Sequence, residues 1–284
     1  MKNTLPDNFG GLPREYSGYK DAKIVVLPVP FDMTSSYVKG SDKGPRAIIN
    51  ASRNMELYDI ETGTEVYTKG IHTAKQVVSK DSKGMVDKVH EKVRGYLEEN
   101  KFVVTLGGEH MVSLGPVRAH AGHFSDLSIL HLDAHSDMRD SYEGDAYSHA
   151  CIMARAKEIT ENIVSVGIRS MDSSELKNIK QENMFYASDI YNTKEWIGKV
   201  AEKLTEHVYV TIDLDVFDPS IMPSTGTPEP GGLGWYDVID LLEIVSKKKN
   251  IVGFDVVELC PSKNPAPDFL AAKLIYKLLS LKFI

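Results

Sequence analysis

Residues 127–137 of the 284-residue chain are LSILHLDAHSD, an apolar run that breaks into acidic and imidazole side chains at alternate positions. The largely apolar run Leu127–Leu132 is typical of a strand in a parallel sheet that helices cover on both faces. In an open parallel sheet, ligands bind beyond the carboxyl ends of the strands. The stretch therefore predicts a buried parallel strand that ends in a functional site, with Asp133, His135 and Asp137 as candidate residues.

Five further apolar runs alternate with helical patterns along the chain. Apolar residues recur every three or four positions in Met85–Asn100, Tyr236–Lys247 and Asp268–Leu281, as in helices that cover a sheet. This alternation predicts an α/β fold, a three-layer α/β/α sandwich with a mostly parallel central sheet. We expect one domain over residues 1–284, in which the weakly periodic residues 60–84 form loops and at most a short strand. The other strands are expected at Ile24–Val29, Phe102–Leu106, Ile163–Val166, Val208–Leu214 and Ile251–Val257.

The composition restricts the classes of partner. Lys and Arg total 33 against 40 Asp and Glu, a net charge of -7 that does not suit a nucleic-acid-binding surface but suits a small cationic substrate. No apolar run approaches the roughly 20 residues that span a bilayer, and residues 1–18 lack the apolar segment of a signal peptide. We therefore expect a cytoplasmic protein without a membrane partner, in which Cys151 and Cys260 are reduced thiols.

Two other strand ends carry similar side chains. The run Val208–Ile212 is followed by Asp213-Leu214-Asp215, which places two carboxylates on one face. The run Phe102–Leu106 is followed by Gly107-Gly108-Glu109-His110, where the glycines allow a sharp turn toward the site. In a fully extended strand Asp133 and Asp137 would lie about 13 Å apart, so the chain must curl after His135 if both bind one ion.

These strand ends predict a metal site. A single aspartate at a strand end is more often a helix cap or a loop acceptor than a ligand. Four neighbouring buried carboxylates, however, are costly without cations. Nitrogen and oxygen donors favour Mn²⁺ over the zinc of structural sites, and two ions about 3.5–4 Å apart would share a hydroxide of lowered pKa. The candidate ligands are His110, Asp133, His135, Asp137, Asp213 and Asp215.

The segments Gly107–His110, Asp133–Asp137 and Asp213–Pro219 together resemble the ureohydrolase (arginase/agmatinase) family, and bacterial agmatinases most closely. The likeness covers nearly the whole chain. It implies an arginase-like fold, hydrolysis of linear amidines with two Mn²⁺ per chain, and a homo-oligomer, either a trimer or a hexamer. It also implies that His110, Asp133, Asp137 and Asp213 hold one manganese, while His135, Asp133, Asp213 and Asp215 hold the other. Further similar segments are Pro28–Asp32, Gly40 with Gly44–Ile48, and Gly167–Ser170.

The same resemblance implies roles for residues outside the metal site. His149 matches the family histidine that passes a proton to the departing amine, and Glu258 matches the glutamate that binds the guanidinium. From the residues alone, His149 is a solvated loop histidine and Glu258 is a charge at a helix end. Asp172 aligns with a pocket residue, whereas Asp218, before Pro219, is expected in a turn. We expect His131 in the core, and no function for His72, His90, His120, His123 and His207.

The loop Met138–Ser148 bears on the substrate. It resembles the Tyr-x-Gly loop of bacterial agmatinases, which implies cleavage of agmatine to putrescine and urea in polyamine biosynthesis. Its acids Asp140, Glu143 and Asp145 would suit a cationic tail, whereas Arg139 would suit the carboxylate of 4-guanidinobutyrate, and arginine stays a further alternative. A single-zinc, deacetylase-like amidohydrolase and an inactive regulatory homologue are competing classes. The extra metal-ligand candidates argue against the first, and the presence of both matched catalytic residues argues against the second.

Overall fold

The strands form one parallel sheet. The computed structural model describes residues 5–284, and within this range eight strands lie in the order β2-β1-β3-β8-β7-β4-β5-β6, with parallel neighbours throughout. The strands are β1 (Ile24–Val29), β2 (Ile71–Thr73), β3 (Phe102–Gly107), β4 (Ser128–Leu132), β5 (Ile163–Ile168), β6 (Met184–Tyr186), β7 (His207–Asp213) and β8 (Asn250–Val257). All six predicted strands are confirmed, with ends shifted by at most two residues. The two edge strands, β2 and β6, were not predicted individually.

Helices cover both faces of the sheet. The helices are α1 (Arg14–Ser17), α2 (Gly44–Ser52), α3 (Ser82–Glu98), α4 (Leu114–His123), α5 (Ile152–Lys157), α6 (Ala187–Ile190), α7 (Glu195–Lys203), α8 (Trp235–Lys248) and α9 (Ala266–Lys282). Helices α3, α4 and α5 share one apolar core with the sheet, and α2, α7, α8 and α9 share the other. Along β1, Ile24 and Val26 face one core while Val25 and Leu27 face the other, so the three-layer sandwich is confirmed.

Two expectations concerned the cysteines and the membrane. Cys151 and Cys260 are both free and buried, as expected. Among residues 5–284 no helix is long and apolar enough to cross a bilayer. The first four residues of the N-terminal segment that we compared with a signal peptide lie outside the described range.

Strand order brings the candidate site residues together. The strands β3, β8, β7 and β4 are adjacent at the centre of the sheet, and parallel pairing places their carboxyl ends at one edge. His110 follows β3, Glu258 follows β8 and Asp215 follows β7, while residues 133–137 follow β4. The site is therefore built at the edge where four central strands end.

Gly108 makes the turn after β3 possible. A Cβ atom at this position would lie 2.0 Å from the carbonyl oxygen of Phe31. We therefore expect Gly108→Ala to lower the free energy of unfolding by about 1–3 kcal/mol, because the backbone must shift to relieve the clash. Urea unfolding measures the loss, with Gly122→Ala as the matched control since a Cβ there meets no atom within 4 Å. Equal stability of the two variants would contradict the prediction.

Candidate active site

The six candidate metal ligands converge in two groups. In the first, the Nδ1 atom of His110 lies 3.0 Å from Asp133 Oδ2 and 3.2 Å from Asp137 Oδ2. The Oδ2 atom of Asp213 lies 3.4 Å from the same Nδ1 atom. All four side chains are almost completely buried. One imidazole nitrogen therefore faces three carboxylates.

The second group shares Asp133 with the first. Nδ1 of His135 lies 2.9 Å from Asp215 Oδ2 and 3.6 Å from Asp133 Oδ1. Asp133 thus directs one oxygen toward His110 and the other toward His135. With 24% of its side chain exposed, His135 is more accessible than His110, Asp133 and Asp215.

The chain curls after His135, as the spacing requires. Asp137 has φ of 52°, a left-handed conformation that is uncommon for a residue other than glycine. Its carbonyl oxygen accepts hydrogen bonds from the backbone N–H groups of Met153 at 3.0 Å and Ala154 at 3.3 Å, both in α5. Helix α5 therefore stabilises the curl that turns the Asp137 carboxylate back toward His110.

The hydrogen bonds behind His110 leave one of its nitrogens free for a cation. Its Nε2 atom lies 2.9 Å from the Thr211 hydroxyl, which donates to Asp255 Oδ1 at 2.7 Å. Because the single hydroxyl proton is committed to Asp255, Nε2 of His110 must donate to Thr211. The lone pair then lies on Nδ1, which has no hydrogen-bond donor and faces carboxylates. A divalent cation fits this donor set.

The electrostatics of the cluster lead to the same conclusion. Burial, together with the carboxylates of Asp215 and Asp133, raises the pKa of Asp213 well above its usual range. Burial alone would lower the pKa of His135, but Asp215 and Asp133 outweigh it and raise that pKa to about 12. The cluster therefore attracts positive charge, which either protons or metal ions can supply.

His131 and His120 both lie in the core. His131 places Nδ1 3.0 Å from Ser165 Oγ and Nε2 2.8 Å from Asp133 Oδ2, so both ring nitrogens have partners, as we expected. His120 lies in α4, and we expected no function for it. Its ring is fully buried against Gly253 of β8, and burial lowers its pKa to about 4.

A cavity of about 230 Å³ opens onto the cluster and is lined by both candidate catalytic residues, His149 and Glu258. Burial lowers the pKa of His149, so its imidazole is mostly neutral at neutral pH. Glu258 has φ of 65°, and its Oε1 atom accepts a 2.7 Å hydrogen bond from the backbone N–H of His110. The backbone N–H of Glu258 donates to Gly108 at 2.8 Å, which fixes this strained residue against the β3 turn.

Farther from the cluster, the cavity wall differs from what the loop sequence suggested. Arg139 lines it, but the guanidinium lies 3.7 Å from Asp172 and 3.6 Å from Glu175 and is therefore already paired with carboxylates. Asp172 also lines the cavity, as expected. Asp140 instead forms an ion pair with Lys177. Glu143 and Asp145 are also absent from the residues that line the cavity in the described part of the chain. The expectation that the three loop acids suit a cationic tail in the cavity therefore needs correction.

Asp218 has the turn role that we expected. One carboxylate oxygen accepts the backbone N–H of Ser220 at 3.0 Å. The other accepts those of Gly231 and Gly232, at 3.0 Å and 3.1 Å. Its side chain thus joins two loops beside the site.

Sequence reasoning missed four residues that support the candidate site. Thr211 and Thr34 contact site residues, and Asp255 and Glu109 contact these two threonines. Thr211 lies two positions before Asp213 on the same strand face, and it pairs in register with Asp255 of β8. A period of two in β7 and an acid within the apolar run of β8 could have identified both. Thr34 and Glu109, which lie behind His149, carry no such signal.

Comparison with known proteins gives the same family as the motifs. The sequence profile described as "Arginase family" matches residues 22–280. The N(1)-aminopropylagmatine ureohydrolase of Synechocystis sp. is 36% identical over 292 residues, which cover 96% of this chain and 95% of that protein. The agmatinase of Pyrococcus horikoshii is 35% identical over 270 residues, which cover 92% and 93% of the two chains.

A solved structure extends the comparison to three dimensions. The agmatine ureohydrolase of Thermoplasma volcanium matches with a TM-score of 0.89 at 34% identity, and the match covers 99% of this chain and 95% of that one. The likeness thus includes the whole sheet and the loops around the site. This chain belongs to the arginase family, and it is a hydrolase, a ureohydrolase of the agmatinase type that acts on guanidino compounds.

Proposed function

We propose that the chain hydrolyses agmatine to putrescine and urea. The observation that carries this proposal is the cavity that joins His149 and Glu258 to the histidine–aspartate cluster. Its size suits a small extended substrate whose guanidinium reaches the cluster, while the aminoalkyl chain points toward Asp172 and Arg139.

We propose that the cluster holds two manganese ions. The family is dependent on a binuclear metal centre, and the unpaired Nδ1 atom of His110 among carboxylates supports such a site here. When bound, the two ions supply a water of lowered pKa as the nucleophile. The first ion would have His110, Asp133, Asp137 and Asp213 as ligands, and the second His135, Asp133, Asp213 and Asp215.

Glu258 is the residue that we propose holds the substrate guanidinium. One carboxylate oxygen is fixed by the backbone N–H of His110, and the other, Oε2, lies 3.6 Å from where a Cβ atom on Gly226 would be. Burial is the largest cause of the strongly raised pKa of Glu258, so a cationic guanidinium would stabilise its ionised form. Fixing the substrate in this way aligns its central carbon with the attacking water.

His149 is the proposed proton carrier. As a neutral imidazole it can take up the proton that is released when water attacks, and then pass it to the departing amine. Without this proton the amine would leave as an unstable anion. The half-buried position of His149 beside the cluster supports both steps.

N(1)-aminopropylagmatine is a second candidate substrate. The observation in its favour is the similarity to the Synechocystis protein of that name. Its longer chain carries an additional amine, which could approach Asp172 at the partly exposed end of the cavity. The two substrates share the same guanidino chemistry and differ in length and in the additional amine.

Urea release by the Mn²⁺-loaded protein distinguishes the candidates. The assay would compare agmatine, N(1)-aminopropylagmatine, arginine and 4-guanidinobutyrate, with an acetylated polyamine as the control for deacetylation. We expect the highest kcat/KM for agmatine. A clear preference for the longer substrate would favour the second candidate, and release of acetate with no urea would contradict the hydrolysis of guanidino compounds.

The sequence pattern favours one domain and a cytoplasmic location, and the family resemblance implies an oligomer. We propose a single arginase-like catalytic domain over residues 1–284 that forms a cytoplasmic trimer or hexamer. Family resemblance supports this assembly. Light scattering of the purified protein gives its mass in solution, and a monomer at micromolar concentration would contradict the proposal.

Thr211 provides a test of the metal site that does not depend on turnover. We expect Thr211→Val to weaken manganese binding by about 10- to 100-fold, because His110 loses the acceptor that fixes its tautomer. Equilibrium dialysis measures this affinity, and the matched control is Thr68→Val, at an exposed position in a short helical turn. Unchanged affinity of the Thr211 variant would contradict the assigned tautomer.

A further inference from the structure

Thr34 connects His149 to the buried carboxyl group of Glu109. Its hydroxyl oxygen lies 3.1 Å from His149 Nδ1, 3.0 Å from Glu109 Oε1 and 2.9 Å from the backbone nitrogen of His149. A hydroxyl group offers one proton and two lone pairs. These three contacts use that capacity completely, so the direction of each hydrogen bond follows when Glu109 is ionised.

The backbone N–H of His149 can only donate, and it occupies one lone pair of the Thr34 oxygen. Burial raises the pKa of Glu109 to about 7, so the carboxylate form prevails above that pH. In this form Glu109 can only accept, so it receives the hydroxyl proton. The remaining lone pair then accepts a proton from Nδ1 of His149. Ser148 Oγ lies farther from Nδ1, at 3.3 Å, and is the weaker partner.

The Glu109 carboxylate is itself held in place. Its Oε2 atom accepts the backbone N–H of Thr34 at 2.6 Å, and its own backbone N–H donates to Phe31 at 2.8 Å. Glu109 is fully buried and immediately precedes His110 at the end of β3. The turn that places His110 in the cluster thus also fixes the orientation of the His149 ring.

We infer that Thr34 and Glu109 are positioning residues that hold His149 as the Nδ1–H tautomer with Nε2 facing the cavity. The inference rests on the proposed role of His149 as proton carrier. Nε2 then takes up the proton from the attacking water. It returns this proton to the amine nitrogen as the C–N bond of the guanidino group breaks, so proton uptake and release balance at one atom.

The first test compares Thr34→Val with Thr34→Ser. Valine keeps the size of threonine but removes the hydroxyl, and we expect kcat for agmatine to fall about 10- to 100-fold with KM changed less than about threefold. Serine keeps the hydroxyl and should restore most of the rate. Glu109→Gln weakens the acceptor and should lower kcat in the same direction. Wild-type kcat in Thr34→Val would overturn the inference.

A substrate whose leaving group is a weaker base shows whether Thr34→Val acts through proton transfer by His149 or through general disruption of the site. In the guanidinooxy analogue of agmatine, an oxygen atom joins the alkyl chain to the guanidino nitrogen that departs. The leaving group is then a weakly basic alkoxyamine that needs little help from His149. We expect Thr34→Val to slow this analogue by less than about threefold. Equal slowing of both substrates would show a merely structural effect and overturn the inference.

The tautomer itself can be measured independently of activity. Nitrogen-15 NMR of histidine-labelled protein, with diamagnetic Mg²⁺ in place of manganese, distinguishes a protonated Nδ1 from a protonated Nε2, and His149→Asn identifies the signal. We expect Nδ1–H in the wild type and a mixture of tautomers in Thr34→Val. An Nε2–H tautomer in the wild type would overturn the inference. If Nδ1–H is found but His149→Asn retains full activity, the proposed proton carrier fails while the assigned geometry stands.

Discussion

Asp215→Ala is expected to lose one of the two proposed manganese ions and to lower kcat by about 10³-fold or more, because one ion cannot generate and orient the nucleophile as a pair does. Asp215 is almost completely buried, and its Oδ2 atom lies 2.9 Å from Nδ1 of His135. Its Oδ1 atom accepts the backbone N–H of Ala134 at 3.0 Å. Removal of this carboxylate therefore affects His135 and the segment after β4 that carries it.

The measurement is manganese per chain by elemental analysis, together with urea release. Asp215→Asn can keep the acceptor for the Ala134 N–H and removes only the charge, so it separates loss of metal from loss of fold. The matched control is Asp240→Ala, at a partly exposed position on α8. A fully active Asp215→Ala protein with two ions per chain would exclude Asp215 as a metal ligand.

His149→Asn is expected to lower kcat by about 10²- to 10⁴-fold, the usual contribution of a general acid or base. The manganese content and KM should stay close to those of the wild type, since His149 is not among the proposed metal ligands. The guanidinooxy analogue of agmatine should retain much more of its rate, because its alkoxyamine leaving group needs little protonation. This split between substrates separates loss of proton transfer from loss of binding.

The control for His149→Asn is His123→Asn, at an exposed position near the end of α4. It should retain wild-type kcat for both substrates. Loss of manganese in the His149 variant would indicate a ligand rather than a proton carrier. Full activity toward agmatine would assign the proton transfer to another group.

The longer strands were predictable because each is buried on both faces and so forms a continuous apolar run. β2 and β6 have three residues each, too few for any period to emerge. Helix α4 contains Gly115 and Pro116 in its first turn, where proline is tolerated, but both weaken the helical pattern in sequence. Element length and local composition thus explain which elements were missed.

The candidate metal ligands were recognisable because they repeat at alternate positions beyond buried strands. The cavity wall was harder to predict, since exposed loop acids can pair with lysine elsewhere, as Asp140 does with Lys177. Thr34 was missed for another reason. Its function depends on contact with His149, which lies 115 positions later, and a neutral hydroxyl carries no charge pattern that would suggest such a contact.

The strand order also has a consequence for how the protein matures. β3 and β4 follow each other along the chain, yet β8 and β7 lie between them in the sheet. The contact between His110 and Asp133 therefore cannot form until residues 207–257 have been synthesised and inserted between the two earlier strands. Because such long-range pairing is slow, nascent chains would remain without their metal cluster until late in folding. Metal uptake would then report completed folding, and a chain truncated before β8 would lack the strand that separates β3 from β7 and with it the arrangement that brings His110 to Asp133.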